Sequence, residues 1–142
     1  MDGKALGSFR VGVEYIRRTL HPEFPVQQFA ILVEVATEPG ITMPELSKRL
    51  KMSSASISKN IRSLSRFKEE KEIKGYDLVF TTPSLDDRRR FSVYLTRTGE
   101  KWVEDFFKSV YTSREKFLPY INQEVERLGL SRGDNALRKK KK

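Results

Sequence analysis

Two short amphipathic segments separated by a very short link constrain this chain more than any other feature. The run Thr42–Glu45 has the form of a capping box with proline in the first turn, so it predicts a helix ending near Leu50. After the link Lys51-Met52, either Ser53 or Ser54 can cap a second helix. The apolar face of that second helix consists of Ile57, Ile61 and Leu64. Two helices joined by so short a turn predict a helix-turn-helix.

Two further amphipathic helices are predicted before this motif. Apolar residues spaced three and four apart predict a helix from Phe9 to Leu20, which His21-Pro22 ends. Pro25 can open the next helix, and Pro39-Gly40 ends it. Its apolar stripe is interpreted as core and consists of Phe29, Leu32, Val33 and Ala36.

The pattern changes to β-strand formers after the helix-turn-helix. The runs 78–82 and 91–95 flank a Pro-Ser-Leu-Asp-Asp turn and predict a hairpin with a basic tip. Thr96 can then cap a long helix that Pro119 interrupts, followed by a shorter segment to about Leu128. The predicted fold class is therefore mainly α with a small β-hairpin wing, a winged helix-turn-helix with N- and C-terminal helices.

The exposed side of the predicted second helix of the motif is small, polar and positive. Opposite its apolar face it presents Ala55, Lys59, Arg62 and Arg66, with Ser58 and Ser63 beside them. A DNA major groove about 12 Å wide admits a helix, and such side chains can reach phosphates or guanine acceptors there. A merely solvated basic face is the alternative.

The hairpin tip places three arginines, 88 to 90, beside Asp86 and Asp87. This shape suits phosphates or the electronegative minor groove, and the carboxylates can orient the arginines. A turn that is charged for solubility is the alternative, but a preceding helix-turn-helix makes the hairpin a wing. The same arginines oppose a metal site at the paired aspartates.

Composition favours a polyanionic partner. Lys and Arg total 28 against 19 Asp and Glu, a formal charge of +9, although the run Arg138 to Lys142 contributes much of that excess. The absence of cysteine excludes disulfides and thiolate metal sites. Without an apolar run for a signal peptide or membrane span, we expect a soluble, cytoplasmic protein. The single histidine, His21, has no catalytic neighbours, so we expect neither an enzyme nor a cofactor.

These residues together resemble the MarR family of winged helix-turn-helix transcription regulators, from about Phe24 to Phe106. The similarity lies in the runs 26–29, 46–50 and 56–59, and in Asp87-Arg88-Arg89 followed by Leu95-Thr96 and Gly99. The resemblance implies that Arg89 is a minor-groove arginine oriented by Asp87. It implies that Ser56, Ser58 and Lys59 contact DNA.

Two departures from the family pattern stand out. Several extra residues, Phe67 to Lys74, separate the recognition helix from the wing, so the wing could sit differently. Asn60 replaces a usual apolar residue and Arg62 a common acidic one, which could redistribute the groove contacts.

The resemblance also implies a homodimer built from the terminal helices. The expected division is a dimerisation helix in residues 1–22, the DNA-binding domain in 24–96, dimerisation helices in 97–130 and a disordered basic tail in 131–142. The expected interface residues are Phe9, Val13, Ile16, Trp102, Phe106, Val110, Phe117 and Ile121.

The sequence thus predicts a sequence-specific double-stranded DNA-binding regulator, a homodimeric repressor on a palindromic operator. One alternative is an architectural or replication-associated DNA-binding protein with little sequence preference, for example one of viral or mobile-element origin, and another is a protein-interaction module. Operator and effector stay open. The predicted DNA-binding residues are Ser54, Ala55, Ser56, Ser58, Lys59, Arg62, Ser63, Arg66, Asp87, Arg88, Arg89 and Arg90.

Overall fold

A computed structural model describes residues 6–111 of the chain. Five helices and two small hairpins follow one another there, in the predicted fold class. In chain order they are α1 (Gly7–Thr19), α2 (Val26–Thr37), α3 (Met43–Leu50), α4 (Ser54–Leu64), β1 (Phe67–Glu69), β2 (Glu72–Lys74), β3 (Val79–Pro83), β4 (Phe91–Leu95) and α5 (residues 97–111).

Side-chain caps start the two helices of the predicted motif. The Thr42 hydroxyl accepts a hydrogen bond from the Glu45 amide at 3.3 Å and donates one to the Glu45 carboxylate at 2.8 Å. The Ser53 hydroxyl accepts from the Ser56 amide at 3.1 Å, so Ser53 rather than Ser54 is the cap of α4. Because these caps satisfy amides that have no partner within the helix, they fix where α3 and α4 begin.

The core lies between α2, the apolar face of α4 and the wing. Ile57, Ile61 and Leu64 are buried, as the spacing predicts. The prediction for α2 is partly wrong, because its buried face carries Ile31 and Val35 besides Leu32, whereas Val33 is 40% exposed. The helix is apolar almost all round, so spacing alone cannot decide which stripe faces inward.

The second hairpin is the predicted wing. β3 and β4 pair antiparallel from Val79 opposite Leu95 to Pro83 opposite Phe91. An isolated bridge between Thr42 and Ser92 joins the hairpin to the start of α3. The wing is therefore attached to the helix-turn-helix by backbone pairing as well as by its buried side chains.

The extra segment forms a hairpin that the sequence did not predict. Phe67 pairs with Lys74 and Glu69 with Glu72 in antiparallel register. The chain then returns to its starting point, where the Leu78 amide donates to the Leu64 carbonyl at 2.8 Å. Because this hairpin closes on itself, the insertion does not separate the wing from the end of α4.

Helices α1 and α5 pack against each other. The Trp102 indole Nε1 donates to the Thr19 hydroxyl at 2.7 Å, and the Trp102 ring centroid lies 5.6 Å from that of Tyr15. A Cβ at Gly12 would lie 3.0 Å from a Val110 methyl carbon, so glycine allows this close approach. None of the helices within residues 6–111 is both long and apolar enough to cross a membrane. The Pro119 interruption, Phe117, Ile121 and the predicted basic tail lie outside the described residues.

Candidate nucleic-acid interface

Helix α4 carries seven of the twelve predicted contact residues. Five of them are exposed: Ser54, Ala55, Ser58, Lys59 and Arg62. Ser56 and Ser63 are half-buried, so less of each side chain is open to a partner. Arg66 is exposed but does not continue the outward face of α4, because α4 ends at Leu64 and Ser65 is its C-cap. The helical placement of Arg66 is wrong for that reason.

A buried polar pair sets the rotation of α4 against α2. Asn60 is 7% exposed, and its Oδ1 accepts a hydrogen bond from Gln28 Nε2 at 3.1 Å. Its Nδ2 donates to the Ser56 carbonyl at 2.8 Å. Asn60 therefore faces α2 and is not one of the outward groups. Since a buried polar group without its partner costs free energy, this pair favours the rotation that exposes Lys59 and Arg62.

Ion pairs hold α3 against α2. The Arg49 guanidinium lies 3.0 Å from a Glu34 carboxylate oxygen and 2.8 Å from one of Glu38. These exposed pairs contribute little individually, but one arginine that bridges an acid of α2 and the acid directly after α2 restricts the position of α3. They add to the packing of Leu46, which is fully buried and attaches α3 to the core.

The wing tip is organised around Asp87. Its Oδ1 accepts from the Arg89 amide at 3.0 Å and from Arg89 Nε at 3.2 Å, and its Oδ2 lies 3.7 Å from Arg90 Nε. The Arg89 amide and side-chain hydrogen bonds lower the pKa of Asp87, so this carboxyl is charged at neutral pH. The Arg89 side chain is 92% exposed while it is tethered. The arrangement presents an oriented guanidinium to solvent, where it can donate to phosphate or base acceptors.

The sequence did not predict a contact between Arg62 and Phe67 at the end of α4. The Arg62 guanidinium carbon lies 4.2 Å from the centroid of the Phe67 ring, across the boundary between α4 and β1. A spacing of five residues is not a helical neighbour relation, and only the return of the chain in a hairpin creates the contact. An aromatic residue directly after a basic helix end was the one available signal.

An apolar patch covers one side of α1 and α5. Phe9 is 70% exposed and Val13 54%, although both are large apolar residues, and Phe107 and Tyr111 are also exposed. Of the other predicted interface residues in the described part, Ile16, Phe106 and Val110 are half-buried. Trp102 is 9% exposed and belongs to the core of a single chain. An apolar groove of about 620 Å³ runs through this patch and on to Phe24, Phe29 and Val33.

This architecture defines a winged helix-turn-helix protein. A family model described as the MarR family matches residues 24–66, which contain α2, α3 and α4. The predicted resemblance to the MarR family is therefore confirmed in the helix-turn-helix. No curated protein sequence matches the chain.

Solved structures of MarR-type regulators share the fold. A MarR transcriptional regulator from Methanosarcina mazei Go1 is 26% identical, with a TM-score of 0.53 and coverage of 96% of each chain. The transcriptional regulator Tm0710 from Thermotoga maritima is 25% identical, with a TM-score of 0.57 over 94% of this chain and 84% of its own. MepR of S. aureus, solved in a complex with DNA, is 20% identical with a TM-score of 0.63 over 85% of this chain and 89% of its own, which shows the fold alone.

Proposed function

We propose that this chain is a sequence-specific double-stranded DNA-binding transcriptional regulator that acts as a homodimer on a palindromic operator. In each subunit α4 enters the major groove and the wing tip enters the flanking minor groove. A dimer on such a site blocks access to the DNA beneath it, so repression by occlusion is the proposed outcome.

The observation that carries this proposal is the exposed basic face of α4 together with the tethered wing arginine. Lys59 and Arg62 lie on the outward side of a helix whose other side is core, and Arg89 is held by Asp87 while almost fully exposed. An exposed helix can enter the major groove and contact base edges, and a narrow basic projection can contact phosphates or the minor groove. The DNA complex of MepR, which shares the fold, supports the same assignment.

A second copy of the chain is the proposed occupant of the apolar patch on α1 and α5. Exposed Phe9, Val13 and Phe107 are costly in water, and a twofold interface covers the same patch on both subunits. The patch lies on α1 and α5, so pairing there leaves α4 and the wing free. The proposal includes the predicted domain boundaries at residues 22–24 and 96–97.

Selection of bound duplexes from a random DNA pool tests the DNA-binding proposal. We expect one palindromic consensus, with affinity that falls steeply as salt rises. Lys59→Ala should change preference at the central positions of each half-site. Lys108→Ala is the matched control, because Lys108 is 71% exposed on α5 and its loss changes the net charge equally. A pool that shows no consensus despite salt-sensitive binding would favour the architectural alternative.

Sedimentation of two charge variants tests the interface. Val13→Asp places a carboxylate inside the apolar patch and should shift the protein toward monomer. Arg18→Asp adds the same group at an exposed α1 position outside that patch and should leave the dimer intact. Equal sedimentation of both variants and the parent protein as dimers would place the interface elsewhere.

A further inference from the structure

The inserted hairpin, β1 and β2 with their turn, lies directly beside the end of α4. Gly75 returns the chain with a φ of +90°, and a Cβ there would overlap the carbonyl oxygen of Ser65. This close backbone approach keeps the base of the hairpin next to the last turn of α4. Phe67, the first residue of β1, is thereby placed within reach of the α4 side chains.

Phe67 lies against the Arg62 side chain. The distance of 4.2 Å from the guanidinium carbon to the ring centroid falls within the range of a cation–π contact. Phe67 itself is half-buried, so its ring is held by the surrounding chain instead of moving freely. Arg62 is exposed, and the ring is therefore a fixed support for a side chain that would otherwise sample many rotamers.

The glutamates of the inserted hairpin form no ion pair with Arg62 in the described part of the chain. Within residues 6–111 Arg62 has no ion pair, and Glu69 of the hairpin pairs with Lys74 at 2.9 Å. The hydrogen bond from Lys74 is the largest cause of the lowered pKa of Glu69, and the charge of Arg62 is the smallest. The guanidinium keeps its hydrogen-bond donors available.

We propose that the inserted hairpin positions Arg62 to read a guanine in the major groove, with Phe67 as the positioning residue. This inference rests on the proposed function. Stacking uses the face of the guanidinium and leaves its N–H edge free for the bidentate contact with guanine O6 and N7. A restrained side chain also loses less conformational entropy when it binds.

The charge of the hairpin favours this role over a direct electrostatic one. Between Lys68 and Lys74 three lysines balance three glutamates, so the hairpin adds no net charge that would attract phosphates. Glu69 and Glu72 stand opposite each other in the register, which a basic DNA-binding arm would avoid. Its contribution is therefore expected in base preference, with the salt dependence of binding unchanged.

The test uses the duplex that the whole 142-residue chain selects from a random pool, made with and without 7-deazaguanine at each guanine in turn. This base lacks the N7 acceptor, so it weakens only contacts that use that atom. For the parent protein we expect one guanine in each half-site where the replacement lowers affinity roughly fivefold or more. Arg62→Ala should remove that penalty and leave any penalty from Lys59 contacts in place.

Phe67→Leu should weaken binding to the unmodified duplex about two- to fivefold and shrink the same 7-deazaguanine penalty. Phe67→Tyr, which keeps the ring, should restore both. Ile73→Leu is the matched hairpin control, since Ile73 pairs with Lys68 on the other face from Phe67. Thermal unfolding of each variant establishes that it is folded.

The outcomes separate the two proposals. If the parent protein selects no consensus, the proposed function fails and this inference fails with it. A parent protein with a clear consensus and a Phe67→Leu variant with an unchanged 7-deazaguanine profile would overturn the positioning role alone. A penalty that persists in Arg62→Ala would assign the guanine to another residue.

Discussion

The two hairpins within the described residues are both antiparallel but are held in different ways. The wing, β3 and β4, buries Val79 and Val93 and pairs with the start of α3. The inserted hairpin, β1 and β2, buries no side chain fully and depends on the close approach of Gly75 to Ser65 and on the contact of Phe67 with Arg62. The comparison indicates that the wing is part of the folding core and that the inserted hairpin is an attachment to it.

Alanine at the glycine beside each hairpin should give the largest difference. A Cβ at Gly99 would overlap the carbonyl oxygen of buried Leu78, so Gly99→Ala should cost about 3 kcal/mol of unfolding free energy. A Cβ at Gly75 would overlap the Ser65 carbonyl oxygen as closely, at a φ of +90°, but Gly75→Ala should cost only about 1 kcal/mol, because the inserted hairpin buries no side chain fully and can move as a unit to relieve the strain. Urea denaturation measures both. A greater loss for Gly75→Ala would make the inserted hairpin part of the cooperative core.

Truncation of one strand residue in each hairpin should give the next largest difference in unfolding free energy. Val93 is fully buried, so Val93→Ala should cost about 2 kcal/mol through lost burial and the remaining cavity. Ile73 is 60% exposed, and Ile73→Ala should stay within about 0.5 kcal/mol of the parent protein. The midpoints of urea denaturation of the two variants give these free-energy changes, provided that the dependence of the unfolding free energy on urea is the same in both. Similar losses would contradict the distinction between core and attachment.

The sequence could predict the wing because its strands contain β-formers that are also needed in the core. The sequence of the inserted hairpin contains the charged run Lys-Glu-Glu-Lys-Glu and lacks the apolar alternation that indicates a strand. Its closure depends on a backbone approach between Gly75 and Ser65 that no local pattern shows.

The same physical limit applies to the candidate site. Caps and apolar spacing predicted which face of α4 is outward, since Ile57, Ile61 and Leu64 can only be buried together. They could not show that α4 ends before Arg66 or that Arg62 lies on a ring. Those features depend on tertiary contacts, which the local sequence pattern does not encode. For α2, which is apolar nearly all round, spacing could not choose between Val33 and Val35 as the buried residue.

Removal of a charge from each hairpin tests their separate relation to DNA. Arg89→Ala at the wing tip should weaken binding to the selected duplex roughly tenfold, mainly through lost preference for A·T-rich flanks. Lys71→Ala in the turn of the inserted hairpin removes the same charge and should change affinity less than about twofold. Fluorescence anisotropy at fixed salt measures both. If the two variants bind alike, the wing tip has no special role in reading DNA.

The smallest expected effect concerns the pKa of one carboxylate in each hairpin, Asp87 in the wing and Glu69 in the inserted hairpin. The pKa of Asp87 is lowered first by the Arg89 amide, whereas the pKa of Glu69 is lowered first by the Lys74 side chain. The contacts of Asp87 with Arg89 and of Glu69 with Lys74 are therefore complete above the ordinary carboxyl pKa. Each contact is lost only as the pH falls through the lowered pKa of its carboxyl group. Neither hairpin should change between roughly pH 5 and pH 8.

Carboxyl-detected NMR titration of two variants distinguishes these causes. Lys74→Ala should return the pKa of Glu69 toward its ordinary value, because the pairing ammonium is gone. Arg89→Ala should leave the pKa of Asp87 still lowered, because the amide of residue 89 remains in place to donate. Salt near roughly 1 M should likewise reduce the shift of Glu69 more than that of Asp87, since screening weakens an exposed ion pair more than a backbone hydrogen bond. A full return of Asp87 in Arg89→Ala would mean that the side chain alone orders the wing tip, and the wing would then be held there by the same kind of exposed ion pair as the inserted hairpin.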